Sequence, residues 1–119
     1  MNNDLRWHRV KDDRSRDLRE GGVLRVSVRG RAICLVNVQG TLHAVEDRCP
    51  HQGKSLEGGW CEDGYLVCPW HQMRFDPVTG RNRFGMTEPL GVIPIEIRNN
   101  GIFVALPANG FVFLGIRLW

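Results

Sequence analysis

Cys49-Pro50-His51 is followed, sixteen residues on, by Cys68-Pro69-Trp70-His71, and this pair of short motifs constrains the chain more than anything else in it. Each motif offers one thiolate and one imidazole, as Cys-x-His and Cys-x-x-His. Four residues of metal-ligand type within 23 positions, flanked by Pro50, Pro69 and Gly53, make a chance grouping of core cysteines and surface histidines a poor explanation. Three chemical readings stand. Two irons bridged by two sulfides leave two ligand positions on each iron, and two loops that each carry one Cys and one His can clamp such a cluster between them. A tetrahedral zinc site uses the same ligand types. Structural zinc sites, however, usually pair like with like, as Cys-x2–4-Cys and His-x3–5-His, whereas this chain alternates them. A Cys49–Cys68 disulfide would leave both histidines without a purpose. The iron–sulfur reading leads, and a non-redox zinc-binding interaction module, which would be colourless, stays as an alternative.

At these residues the sequence resembles the Rieske iron–sulfur proteins, whose ligand pattern C-x-H-x16-C-x2-H it matches without a gap. The resemblance covers roughly residues 21–106. It implies one [2Fe-2S] cluster per chain, with Cys49 and Cys68 on one iron and His51 and His71 on the other. It also implies an all-β fold: an antiparallel β-sandwich or barrel base, 1–45 and 81–119, with a small cluster-binding subdomain, 46–80, inserted in a single domain 1–119. The stretch His71 to Gly80 looks like the family's post-ligand segment, ending in Arg-Phe-Asp and Thr-Gly. Gln72 is a departure, since relatives often have Gly there. If that position needs positive φ, Gln costs roughly 1 kcal/mol of strain. Respiratory Rieske proteins carry an extra Cys in each ligand loop, and the two form a disulfide. The corresponding positions here look like Lys54 and Trp70, which argues against the membrane-bound respiratory type.

The rest of the chain agrees with one β-rich domain. Its 119 residues, 42% hydrophobic, are enough for one modest core, and 14 glycines favour tight turns over long helices. Val23 to Val28 alternates apolar and polar, as a half-buried strand does. Ala32 to Val38 is a mostly apolar, β-branched run, and Gln39-Gly40 turns it into Thr41 to Val45. Tyr65 to Val67 reads as a short strand between the motifs, and Asp76 to Gly80 as a turn. Ile93 to Arg98, Asn99-Asn100-Gly101 and Ile102 to Ala105 read as a hairpin. The longest helical candidate is the charged segment 11–20. Cys34, inside its apolar run, reads as a buried thiol packing as a small hydrophobe, and Cys61 as structural. The apolar end Phe111 to Trp119 reads as a strand packing within the fold, with a subunit or partner contact as the alternative. No run approaches the ~20 apolar residues that cross a bilayer, and the first twenty residues lack the apolar core of a signal peptide. A cytoplasmic protein is expected, with no membrane and no nucleic-acid partner, because its positive residues are interspersed with Asp and Glu.

Around the motifs, Pro50 and Pro69 stiffen the backbone, and Gly53, Gly58 and Gly59 let it turn close to a cluster. Backbone N–H groups from 51–55 and 71–74 are the expected donors to it. Trp70 and Phe75 are candidates to cover it or to act as ordinary core aromatics. His8 and His43 read as non-ligands. The net charge is +3, and Arg48, Lys54, Arg74, Arg81 and Arg83 lie in or near the loops, which suggests partners with an acidic docking face. No nucleophile–base constellation or oxygen-activating site is present, so the chain is expected to be no enzyme. The resemblance implies a soluble Rieske-type ferredoxin, a low-potential one-electron carrier that relays electrons from an NAD(P)H-dependent ferredoxin reductase to a terminal oxygenase. A small Rieske-like subunit of an assimilatory nitrite reductase is a further alternative. High-potential relatives set a Ser and a Tyr hydroxyl against the cluster sulfurs, two and four positions after the second His. Met73 and Phe75 stand there and can donate neither bond. The midpoint potential is therefore expected toward the negative end of the family range of about −150 to +300 mV. A redox titration giving a value above roughly +100 mV would contradict this.

Overall fold

The apolar run 32–38 becomes a strand buried on both faces, which is why it reads as continuous rather than alternating. In the computed structural model, which describes residues 4–108, ten strands form: Leu5–Arg9 (β1), Val23–Val28 (β2), Arg31–Val38 (β3), Thr41–Glu46 (β4), Trp60–Glu62 (β5), Tyr65–Val67 (β6), Arg74–Phe75 (β7), Val92–Ile93 (β8), Ile95–Arg98 (β9) and Gly101–Pro107 (β10). They make three antiparallel sheets, ordered β1-β10-β9, β2-β3-β4-β8 and β5-β6-β7.

Two cores sit on either side of β3. Ile33 and Leu35 join Val26, Val28 and Ala44 against Ile102, Val104 and Leu106 of β10, so the first two sheets pack face to face as a sandwich. Cys34, Val36 and Val38 point the other way. With Val45 they bury Leu56, Leu66, Phe75 and Leu90, and so seat the third sheet and its loops. Cys49 and Cys68 belong to this second core. The site is thus carried on the back of the central strand.

Hairpin chemistry sets the register. Gln39 and Gly40 both take positive φ, at 55° and 91°, as do Asp63 and Gly64, at 54° and 83°. Two successive positive φ values are what a two-residue turn with the strands' own twist requires. The expected strand 93–98 is split. Pro94 has no N–H to give a ladder, so β8 stays with β4 while β9 moves to β10 in the other sheet. The segment 11–20 forms only a 3₁₀ turn, Asp13–Asp17, capped by the Asp12 carboxylate accepting from the Arg14 amide at 3.0 Å. Strand β1 carried no alternating signal because nearly all of it is exposed. It is held by edge pairing with β10, Trp7 opposite Ala105. Phe111 to Trp119 lies outside the described residues.

Phe75 is completely buried at the centre of the second core. Phe75→Ala is expected to remove about 3–5 kcal/mol of stability, read as a lower midpoint in chemical denaturation.

Candidate metal centre

Two loops meet at one end of the molecule. The first follows β4, and the second joins β6 to β7. Both are closed by the same bond: the Cys49 amide donates to the Lys54 carbonyl and the Cys68 amide to the Met73 carbonyl, each at 2.8 Å and each spanning five residues. The four candidate residues sort by element. Cys49 and Cys68 are fully buried and adjacent, while His51 and His71 are exposed. The two rings meet edge to face with centroids 4.9 Å apart and their Nδ1 atoms 3.3 Å apart. Burial, and then the neighbouring Cys49 thiol, push the Cys68 thiol up. A cation is needed to draw the proton from such a pair, so metal binding there releases protons.

The side chains sort by kind: Cys49 lies against Cys68, and His51 against His71. A binuclear cluster calls for such a sulfur pair and nitrogen pair, whereas a tetrahedral zinc calls for four ligands on one point. His8 lies in β1 and His43 in β4, opposite Val36, and neither joins the group.

The backbone explains how the second imidazole is aimed. His71 and Gln72 are consecutive left-handed residues, with φ of 62° and 52°. The expectation for Gln72 holds, and His71 shares the strain, which nothing in the sequence announced. Gly59 is required by close approach, because a Cβ there would collide with the Val67 carbonyl. The expected amide donors are sorted too. The Gly53 amide goes to the Cys49 carbonyl at 2.6 Å and is therefore not a donor to the site. The Trp70 amide, just outside the expected ranges, points at the Cys68 sulfur at 3.4 Å.

Asp47 is the residue that sequence reasoning missed. Its side chain is 3% exposed. It accepts from Arg25 Nε at 2.8 Å, the Leu56 amide at 2.8 Å, the Ser55 hydroxyl at 2.8 and 2.9 Å, and the Cys34 thiol at 3.1 Å. Burial alone would raise its carboxyl, but these donors outweigh it and hold the group below the usual carboxylate range. Cys34 is thus more than a small hydrophobe, and burial pushes its thiol far up. Cys61 is half-buried in β5, its thiol pushed up by burial to about 11.

Lys54 and Trp70 are joined as well. The ammonium lies 4.2 Å from the centre of the indole ring, and Trp70 Nε1 donates to the Ser55 carbonyl at 3.0 Å. Trp70 therefore bridges the loops at the surface, whereas Phe75 is a core aromatic. Met73 takes Asn82 Nδ2 at 3.7 Å on its sulfur, and neither Met73 nor Phe75 brings a hydroxyl to the site.

A β-sandwich whose two loops each bring one Cys to a buried pair and one His to an exposed pair defines a small iron–sulfur protein. The chain belongs to the Rieske [2Fe-2S] domain family, which matches residues 8–89. It is 33% identical over 91 residues to the ferredoxin component of the naphthalene 1,2-dioxygenase system of Pseudomonas putida, covering 76% of this chain and 88% of that one. It is 37% identical over 93 residues to the 3-phenylpropionate/cinnamic acid dioxygenase ferredoxin subunit of Shigella flexneri, covering 76% and 87%. Among solved structures, a chain in the complex of reduced oxygenase and oxidized ferredoxin in carbazole 1,9a-dioxygenase is similar at TM-score 0.71 and 30% identity, over 83% of this chain and 92% of that chain. The Sphingomonas yanoikuyae B1 ferredoxin shares the fold at TM-score 0.72 and 23% identity, over 86% and 100%. These relatives are electron-carrying components rather than catalysts, and the family's cofactor is a [2Fe-2S] cluster.

Asp47→Ala strands four donors, and Trp70→Ala removes one hydrogen bond and one cation–π contact. The expected losses are about 2–4 kcal/mol and about 1–2 kcal/mol. Both variants should bleach faster than wild type when the holoprotein is incubated with an iron chelator, Asp47→Ala the faster of the two.

Proposed function

We propose that this chain is the ferredoxin of a ring-hydroxylating dioxygenase system, a one-electron carrier between a reductase and a terminal oxygenase. Cys49 and Cys68 would hold one iron of its cluster, and His51 and His71 the other. The observation that carries this reading is the 3.3 Å Nδ1–Nδ1 pair on the same two loops that bury the neighbouring Cys49 and Cys68 thiols. When bound, the cluster takes up one electron and gives it back. The chain does the rest. Burial keeps water from the sulfur side, the Trp70 amide steadies a thiolate, and the exposed imidazoles form the edge through which an electron passes to a docked protein.

Residues 46–80 act as the cluster-binding insertion, and the remainder of the single domain is its base. The second core and the Asp47 contacts, which join loop to sheet, support that division. The partners are an NAD(P)H-dependent reductase and an oxygenase, as the system names of the relatives suggest. Among the described residues no helix is long and apolar enough to cross a membrane. Cys34, Cys49, Cys61 and Cys68 are free thiols, which suits a reducing, cytoplasmic setting.

Visible absorption and EPR spectra before and after dithionite test the assignment. A brown protein that gives the reduced signal of a His-ligated [2Fe-2S] centre is the expected result. Cys68→Ser and His71→Ala should each lose that signal. A colourless, EPR-silent protein containing one zinc would overturn the reading.

A further inference from the structure

Cations predominate in and just after the two ligand loops, with Glu62 beside Arg74 and Asp76 in the groove that Arg81, Arg83 and Phe84 line. Segments 48–54, 69–75 and 81–87 hold Arg48, Lys54, Arg74, Arg81 and Arg83 and no Asp or Glu. Arg74 pairs with Glu62 at 3.5 Å. Among the described residues the other four have no carboxylate partner: Lys54 lies over Trp70, and the Arg83 guanidinium over Tyr65 and Phe84, 5.2 and 5.1 Å from the ring centres.

Beside these cations stands Phe84-Gly85-Met86, which leaves Phe84 72% and Met86 64% exposed. This turn is held in shape. Buried Asn82 accepts the Phe84 and Met86 amides on Oδ1, at 2.9 and 3.2 Å, and its Nδ2 reaches Met73. The Arg83 amide donates to the Arg74 carbonyl at 2.9 Å, and Asn82 bridges to Phe75. Residues 81–83 therefore run antiparallel to 74–76, beside the strand that follows the second loop, and the chain then turns, the Gly85 amide donating to the Asn82 carbonyl at 3.0 Å. An ordered aromatic and a methionine among arginines have the composition of an interface centre, and free cations around them call for carboxylates opposite. Glu88 is the one acid in 81–89 and follows the turn.

We infer that this end docks onto a redox protein whose face is acidic around an apolar socket. Arg48, Lys54, Arg81 and Arg83 meet its carboxylates, and Phe84 and Met86 enter the socket. The inference rests on the electron-carrier reading above, from which its test is separable. Cyclic voltammetry of the holoprotein uses gold electrodes coated with carboxylate-terminated, amine-terminated or mixed carboxylate and methyl monolayers. At low salt the electron-transfer rate on carboxylate should exceed that on amine about tenfold or more, and the advantage should shrink as ionic strength passes roughly 0.1 M. The double variant Arg81→Glu, Arg83→Glu should lose that advantage with its visible spectrum unchanged. The double variant Phe84→Ser, Met86→Ser should slow transfer on the mixed film and not on pure carboxylate. Equal rates on carboxylate and amine, or wild-type rates in both variants, would overturn the inference. So would a dimer that the Phe84→Ser, Met86→Ser variant dissociates, or a surface preference that emerges only after truncation behind Ala108. A protein with no redox wave on any film would instead remove the electron-carrier reading.

Discussion

The buried carboxylate of Asp47 ties the site to the fold. A charge taken out of water is tolerated only where donors surround it, and Asp47 draws donors from three places at once. Arg25 comes from β2, Cys34 from β3, and Ser55 with Leu56 from the first loop. One side chain thereby fastens a loop of little regular structure to the most buried strand of the protein. The Ser55 carbonyl then receives the Trp70 indole, which carries the anchorage across to the second loop. Sheet, first loop and second loop form a single chain of contacts, so the geometry of the four candidate ligands follows from the rigidity of β3.

Burial divides the site into two halves with different duties. The thiols sit in the second core at full burial, where a thiolate pair is held only by a metal cation. The imidazoles stand at the surface, within reach of another protein. An electron carrier needs both conditions together: a dry side that protects its metal and an open side that shortens the path to a partner. Lys54 over Trp70 closes the gap between the loops without covalent chemistry, at the two positions where the resemblance implies a disulfide in respiratory relatives.

Much of this was legible in the chain. The Cys-Pro-His and Cys-Pro-Trp-His spacing singled out two residue pairs that the fold sets side by side, Cys49 with Cys68 and His51 with His71. The strands with strong apolar signal, Val23 to Val28 and the run through Val38, lie where periodicity put them. What escaped had no apolar signature. Strand β1 is exposed along nearly its whole length, and β5 and β7 are two or three residues long, too short to show a period. Asp47 looked like one more charged loop residue, because the donors that bury it come from positions up to 22 residues away. The left-handed turn at His71 accompanies the closing of the second loop onto Met73, a tertiary constraint that no local pattern in the sequence marks.

The matching five-residue bonds that close the two loops have a consequence for speed. Each loop carries its own backbone closure, Cys49 to Lys54 and Cys68 to Met73. Dipoles fixed in advance need not turn when the charge between them changes by one. The barrier to moving an electron is raised by atoms that must rearrange, and loops closed on their own backbone bonds leave fewer atoms to do so. Their shape is thus a property of the polypeptide that a docking partner meets ready-made.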